Sequence, residues 1–239
     1  MSKDDSAYKL FERASNIQFS APREALDILW EAVKLYPNTS TVTNYVLDSI
    51  IRIAEINKYW DEAIEACSIA QRLKHDYRKS YELESQACYL DKEGKRIEAL
   101  EVRLKKETLH GKWYGTYRDF GDQFVNLGAN DRAWRLYNEA TTLAVKNGIS
   151  PHTVRQSMAN LLISEGKPNA AVEMLIIGIS EAEQLNKKGV PKSLITALRK
   201  SLKAAGVKDL SFANELAGIC EAKGQDQAIS IFRESITKP

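Results

Sequence analysis

The stretch that decides the fold is residues 114–140, which read YGTYRDFGDQFVNLGANDRAWRLYNEA. Gly128 divides it into two halves. Gly121 lies seven positions before this glycine and Phe124 lies four before it, which are offsets of two turns and one turn of a helix. The second half reads Ala-Trp-x-Leu-Tyr-x-x-Ala from Ala133, which is the apolar spacing of an amphipathic helix. The stretch therefore predicts two helices joined at Gly128, with the glycine as a left-handed C-cap.

The same arrangement recurs along the chain. Gly94, Gly166 and Gly224 also follow a small residue by seven positions and an apolar residue by four. Two earlier units share an alanine with the others but lack the glycine. The six recurring alanines lie 34 to 38 residues apart, with one gap of 57 residues before the last: Ala25, Ala63, Ala99, Ala133, Ala171 and Ala228. A period of this length predicts stacked helix pairs, each of which buries its apolar face against its neighbours.

These residues resemble the tetratricopeptide repeat, a helix–turn–helix unit of about 34 residues. The best matches are Tyr117, Phe120, Gly121, Phe124, Ala133, Tyr137 and Ala140, followed by Ala25, Leu29, Ala32 and Pro37. The resemblance covers residues 6–185 and, less completely, 208–237. It implies an all-α, right-handed superhelix of about six helix pairs whose first helices line a concave groove. The 57-residue gap has room for one extra helix near 191–205, either an insertion or half of a divergent repeat.

We therefore expect residues 1–239 to form a single helical-repeat domain, with clear repeats at about 6–185 and a divergent part at about 186–239. The third unit departs from the pattern. It places Arg103 and Lys106 where neighbouring units carry apolar residues. Because a bare buried charge is costly, we expect the second helix of that unit to be short, frayed or shifted, with the arginine stem reaching towards solvent.

Composition and motifs exclude several classes of function. The chain has 239 residues, 44% hydrophobic and 28% charged, with a formal net charge of +2, which is the composition of a soluble folded protein. Its most apolar stretch, Met174–Ile179, is far shorter than the ~20 residues of a membrane span. HExxH, GxGxxG, GxxxxGK[ST] and paired CxxC motifs are absent from the sequence. We expect a non-enzymatic protein without metal or cofactor.

The three cysteines are Cys67, Cys88 and Cys220, an odd number with wide spacing. This pattern is typical of reduced cysteines that pack as small apolar side chains, and not of a disulfide framework. We expect them to be buried in a cytoplasmic protein.

The candidate binding residues follow from the resemblance, which places certain positions of each first helix on the concave side. Tyr8, Tyr45 and Tyr81 occupy the same position in the first three units, and Gly115 occupies it in the fourth beside Trp113 and Tyr114. Tyrosine suits peptide recognition because it offers a large apolar face and a hydroxyl at low entropic cost. The alternative is that these tyrosines serve ordinary helix–helix packing.

The neighbouring positions on this face carry both signs of charge. The candidate groove residues are Asp48, Arg52, Glu84, Arg118, Asp122, Gln156 and Asn160, and Phe11, Ser15 and Cys88 occupy equivalent positions. Acidic residues alternate with the basic ones on this face, which argues against a site that binds the carboxylate group of a peptide C-terminus. A peptide of mixed charge or a partner helix fits this face better.

The divergent C-terminal part contains a basic segment at 187–208, with seven basic residues and no acids: Lys187, Lys188, Lys192, Arg199, Lys200, Lys203 and Lys208. Leu194, Ile195, Leu198 and Leu202 give it an apolar stripe. It can be the solvated face of a packed helix, a contact for nucleic-acid phosphates, or a helix on a membrane surface. A pI of about 8.3 does not by itself indicate nucleic acid.

The last predicted helix, 226–236, carries Ile229, Phe232 and Ile236 with no unit after it. These side chains must fold back, be covered, or mediate self-association. Taken together, the sequence predicts a scaffold or adaptor that binds a protein or peptide partner in its groove. The alternative is a nucleic-acid-binding helical repeat that uses the basic segment, and membrane association is not expected.

Overall fold

The computed structural model describes residues 2–73, 76–109, 111–185 and 190–237. These residues form thirteen α-helices and no strand, which confirms the all-α class. The helices are α1 (Lys3–Ile17), α2 (Pro22–Leu35), α3 (Leu47–Asn57), α4 (Trp60–Leu73), α5 (Asp76–Lys92), α6 (Arg96–Glu107), α7 (Tyr114–Asn126), α8 (Asn130–Lys146), α9 (His152–Ser164), α10 (Pro168–Leu185), α11 (Lys192–Ala204), α12 (Phe212–Lys223) and α13 (Gln225–Thr237). A π-helical segment, Val42–Val46, leads directly into α3.

Consecutive helices pack against each other as pairs. The pairs are α1–α2, α3–α4, α5–α6, α7–α8, α9–α10 and α12–α13. Helix α11 lies outside this scheme and packs against α9, α10 and α12. The described residues thus form six helix pairs and one extra helix, and the extra helix lies where the sequence predicts it.

Left-handed residues close the first helix of several pairs. Gly128 has a φ of 72°, and the N–H groups of Gly128 and Ala129 donate to the carbonyls of Val125 and Phe124, each at 2.9 Å. This geometry confirms the predicted glycine C-cap. The second pair has no glycine at this point, and Lys58 adopts the left-handed conformation there with a φ of 60°. Helix α3 can therefore end without the sequence signal that marks the other turns.

Small residues lie where the helices of a pair cross. The alanines that define the repeat are all fully buried: Ala25, Ala63, Ala99, Ala133, Ala171 and Ala228. Gly121 of α7 shows why size matters, because a Cβ at this position would lie 2.5 Å from the ring of Tyr137 on α8. The small residues let the two backbones approach closely, as the pattern indicates.

The chain divides into two compact units, which we call unit 1 (Met1–His110) and unit 2 (Gly111–Pro239). Unit 1 buries one apolar cluster drawn from α1–α4 and two smaller ones around Tyr89 and around Leu90. Unit 2 buries a large cluster that extends over α9–α13 and includes Leu175, Leu198 and Phe232. In both units the buried apolar side chains come from successive helices, as expected for elements that bury their faces against neighbours.

The third pair agrees with the prediction in part. Among the described residues, α6 is the shortest second helix of the six pairs, with 12 residues, as predicted, but it continues through Arg103 and Lys106 to Glu107 without fraying. Arg103 Nη2 lies 2.6 Å from Asp91 Oδ2, and Lys106 Nζ lies 2.8 Å from Glu84 Oε2. Carboxylates on α5 therefore neutralise the two cations that replace apolar residues, and both cations keep part of their surface in solvent.

The C-terminal helix α13 folds back on unit 2. Phe232 is fully buried, and Ile229 and Ile236 are half-buried against the same cluster. Among the cysteines, Cys67 and Cys220 are buried as predicted, whereas Cys88 is exposed, so the prediction for Cys88 was wrong. Within the described part of the chain, no helix combines the length and the hydropathy needed to cross a bilayer.

Candidate partner-binding face

The first helices of unit 1 present three tyrosines to solvent. Tyr8 lies on α1, Tyr45 lies in the π-helical segment before α3, and Tyr81 lies on α5. Their exposed fractions are 45%, 53% and 72%. Tyr81 is thus mostly exposed, whereas Tyr8 and Tyr45 are each about half covered by neighbouring side chains.

Two of these tyrosines belong to one aromatic cluster. The ring of Phe11 lies 5.9 Å from that of Tyr8 and 5.8 Å from that of Tyr45, measured between centroids. Phe11 is half-buried and joins α1 to the π-helical segment. We call Tyr8, Phe11 and Tyr45 the aromatic face. Tyr81 stands apart from it on the third pair.

Asp4 fixes the edge of the aromatic face. Its carboxylate accepts hydrogen bonds from Ser40 Oγ at 2.6 Å and from the Thr41 backbone N–H at 2.9 Å. These two bonds hold the pKa of Asp4 below its ordinary value, because they favour the charged carboxylate. These bonds link the start of α1 to the residues just before the π-helical segment. The backbone segments that bear Tyr8 and Tyr45 are therefore held together.

An open depression of about 630 Å³ lies beside the aromatic face. Tyr8 and Tyr45 line it together with Asp5, Lys9 and Glu12, and with the Asp4–Ser40–Thr41 group. Asp5 also caps α1: its backbone N–H donates to Ser2 Oγ, and its carboxylate accepts from the Ser2 backbone N–H at 2.8 Å, which lowers its pKa. With three carboxylates and one ammonium group, the depression combines aromatic rings with an excess of negative charge.

Helix α3 continues the surface that begins at Tyr45. Asp48 and Arg52 are exposed and follow Tyr45 by one and two turns on the same helix face. Arg52 Nη2 donates to Gln18 Oε1 at 2.7 Å, which links α3 to the end of α1. The structure therefore brings Tyr8, Tyr45, Asp48 and Arg52 together on one side of the first two pairs.

Glu84 on α5 has a different environment. It accepts from Lys106 and also lies 3.7 Å from Arg103, and the bond from Lys106 is the main cause of its lowered pKa. Glu84 is thus engaged in holding α5 against α6. Cys88 is exposed one turn further along α5.

The candidate residues of unit 2 are mostly engaged within that unit. Arg118 donates twice to Asp119, at 3.0 and 2.6 Å. Asp122 accepts from the Tyr137 hydroxyl at 2.6 Å, and burial is the main reason that the pKa of this tyrosine is raised. Gln156 donates to Ser193 at 3.0 Å, whereas Asn160 is exposed.

Trp113 covers Gly115, the residue that holds the tyrosine position in the fourth unit. It is 57% exposed at the start of α7, and its indole lies over Gly115, where any Cβ would overlap the ring. Tyr114 is half-buried, with its ring 5.1 Å from that of Trp113. Glycine at the tyrosine position therefore makes room for an aromatic side chain from two residues earlier.

The basic segment is partly described. Lys187 and Lys188 lie outside the described residues. Lys192, Arg199, Lys200, Lys203 and Lys208 are exposed, whereas Leu194, Leu198 and Leu202 are fully buried in unit 2. The apolar stripe is therefore occupied by protein and is not free to enter a membrane surface.

The described residues contain no cluster of three or more His, Cys, Asp or Glu side chains that could hold a metal ion. His152 is half-buried with Nδ1 3.2 Å from Ser150 Oγ, and burial lowers its pKa. Neither the role of Asp4 nor the π-helical segment is predicted from the sequence. The only sequence signal near Asp4 is the Ser-x-x-Asp capping pattern of residues 2–5.

The rings of the aromatic face, its acidic border and its polar continuation along α3 all belong to unit 1. No protein-family model matches the sequence, and a search of curated proteins found no significant relative.

Proposed function

We propose that this chain is a non-enzymatic protein–protein interaction module that binds a peptide or a partner helix on the first helices of unit 1. The observation that carries the proposal is the aromatic face. Two tyrosines, half-exposed at the same repeat position of successive pairs, are joined through a half-buried phenylalanine with ring separations below 6 Å. Exposed aromatic side chains in a fixed arrangement are typical anchors of protein interfaces.

The arrangement favours binding because little has to be ordered when a partner docks. Tyrosine loses few rotamers on burial, and Phe11 already limits the freedom of both rings. The Asp4 bonds to Ser40 and Thr41 hold the two backbone segments together before any partner arrives. We infer a largely preformed site with small rearrangement on binding.

The charge around the aromatic face points to the chemistry of the partner. Asp5 and Glu12 border the depression, and Asp48 and Arg52 extend the surface along α3. A partner with an apolar or aromatic anchor next to a lysine or arginine would match the acidic border, and its cation could also lie against a tyrosine ring. Arg52 adds a positive charge to this acidic surface, which suits a partner segment that carries both signs of charge.

The proposal includes membership of the tetratricopeptide family and right-handed stacking of the pairs within each unit. Packing of consecutive helices in pairs, small residues at the crossings and glycine C-caps support it. A cytoplasmic location, with Cys67, Cys88 and Cys220 as free thiols, is part of the same proposal.

The double variant Tyr8→Ala/Tyr45→Ala is expected to weaken partner binding by about 30-fold or more, because interface aromatic anchors typically contribute 2 kcal/mol or more. The partner would be identified by affinity purification from the native host, then purified and titrated against each variant by calorimetry. Helicity and melting temperature should stay close to those of the unmodified protein, since both side chains are exposed.

The matched control is Phe19→Ala/Leu35→Ala, which removes two exposed apolar side chains outside the aromatic face. It should bind with unchanged affinity. Equal loss in both double variants, or full binding by the Tyr8/Tyr45 variant, would show that the partner docks elsewhere.

A further inference from the structure

Helix α11 has one buried apolar side and one exposed cationic side. Its three core leucines are fully buried in unit 2. The other side carries four exposed basic residues, and a fifth follows in the next loop. We call these five residues the cationic face: Lys192, Arg199, Lys200, Lys203 and Lys208.

The cationic face has no carboxylate partner among the described residues. None of its five side chains takes part in an ion pair there, and residues 186–208 contain no Asp or Glu. Arg199 donates to the neutral Asn214 Oδ1 at 3.3 Å. The following acid, Asp209, accepts from the Ser211 hydroxyl and backbone N–H at 2.7 and 2.8 Å. By contrast, Arg155 and Arg233 in the same unit lie 2.6 and 2.7 Å from glutamates.

Helix stability accounts for Lys203, which lies in the last turn of α11 where the helix dipole favours a cation, but not for Lys192. Lys192 begins α11, the first turn contains no acid, and Pro191 supplies no side-chain cap. A cation at a helix N-terminus is unfavourable because it faces the positive end of the helix dipole. The four cations on this side of α11 have no counter-charges in the described part of the chain and also repel each other. An anionic ligand would relieve both costs.

We propose that the cationic face binds the phosphate backbone of double-stranded nucleic acid without sequence preference. Lys192 and Lys203 are eleven residues apart, a rise of about 16 Å along the helix, which matches about five phosphates of one duplex strand. Residues 190–208 contain no aromatic side chain on which an unpaired base could stack. A membrane is less suited, because the leucines that would enter it are held in the core of unit 2.

The test is fluorescence anisotropy of a labelled 20-base-pair DNA duplex of random sequence, titrated with the full chain at several salt concentrations. We expect a dissociation constant of about 10⁻⁴–10⁻⁶ M near physiological salt. Five phosphate contacts should give a slope of about −4 to −5 in log K against log salt. The variant K192Q/R199Q/K200Q/K203Q should lose at least tenfold in affinity and reduce the slope by about three to four.

The control variant K34Q/R72Q/K146Q/K223Q also removes four positive charges, but from exposed helix positions outside the cationic face. It should keep most of the affinity and most of the salt dependence. Circular dichroism of both variants checks that the helices are retained. No duplex binding at 50 mM salt, or equal losses in the two variants, would overturn the proposal. Binding to phosphatidylserine vesicles without binding to the duplex would also overturn it, in favour of a membrane surface.

Discussion

Tyr137→Ala is expected to lower the free energy of unfolding by about 3–5 kcal/mol, the range for removing a large aromatic side chain from a core. Tyr137 is 1% exposed and lies between α7 and α8. Its ring packs against Gly121, and its hydroxyl donates to Asp122 at 2.6 Å. The substitution therefore leaves a cavity at the crossing and removes a hydrogen bond to a charged group. The free energy would be measured by urea unfolding followed by circular dichroism.

The matched control for this substitution is Tyr81→Ala. Tyr81 is 72% exposed on α5, so its removal should change the free energy of unfolding by no more than about 0.5 kcal/mol. Both variants remove the same side chain, one from the core and one from the surface. The difference between their free energies of unfolding therefore measures the effect of burial. Similar losses of stability in the two variants would show that Tyr81 is a packing residue, and would contradict its placement on an open face.

Phe232→Ala is expected to destabilise unit 2 by about 3–5 kcal/mol, and by the same amount at every protein concentration. Phe232 is fully buried on α13, where it packs into the core cluster of unit 2. If α13 covers the end of its own unit, its stabilising effect is intramolecular. Thermal unfolding of the unmodified protein and the variant at about 1 and 50 µM would measure both the size of the loss and its concentration dependence.

Self-association through α13 predicts a different result. Stability that depends on a second copy rises with protein concentration by mass action, so the melting temperature of the unmodified protein would increase between the two concentrations and that of the variant would not. Phe19→Ala is the control, because Phe19 is 84% exposed. A concentration-dependent melting temperature that Phe232→Ala abolishes would contradict the capping role.

The pairing of the helices could be predicted because its signals are local. Gly94, Gly128 and Gly166 end helices in the left-handed conformation, and the alanines at fixed offsets lie buried. The end of α3 had no such signal, because Lys58 takes the left-handed conformation without being a glycine. The short length of α6 was predicted from the charges of Arg103 and Lys106, but their neutralisation was not, because the carboxylates that pair with them lie on another helix.

The candidate site was predictable in part for the same reason. Helical periodicity places Tyr8, Tyr45 and Tyr81 on corresponding positions of the first helices, and all three are exposed. Their grouping could not be predicted, because the contact of Phe11 with Tyr45 depends on how α1 meets the π-helical segment. The position of Trp113 over Gly115 likewise depends on local backbone that no repeat pattern specifies.

The most direct test of the aromatic face is site-specific photo-crosslinking in the native host. A benzoylphenylalanine side chain would replace Tyr45 in one experiment and the exposed Leu35, on α2, in a second. We expect one discrete crosslinked partner from position 45, lost when Tyr8→Ala is added, and no such product from position 35. No crosslink at position 45, or the same products from both positions, would contradict a partner-binding role for Tyr8, Phe11 and Tyr45.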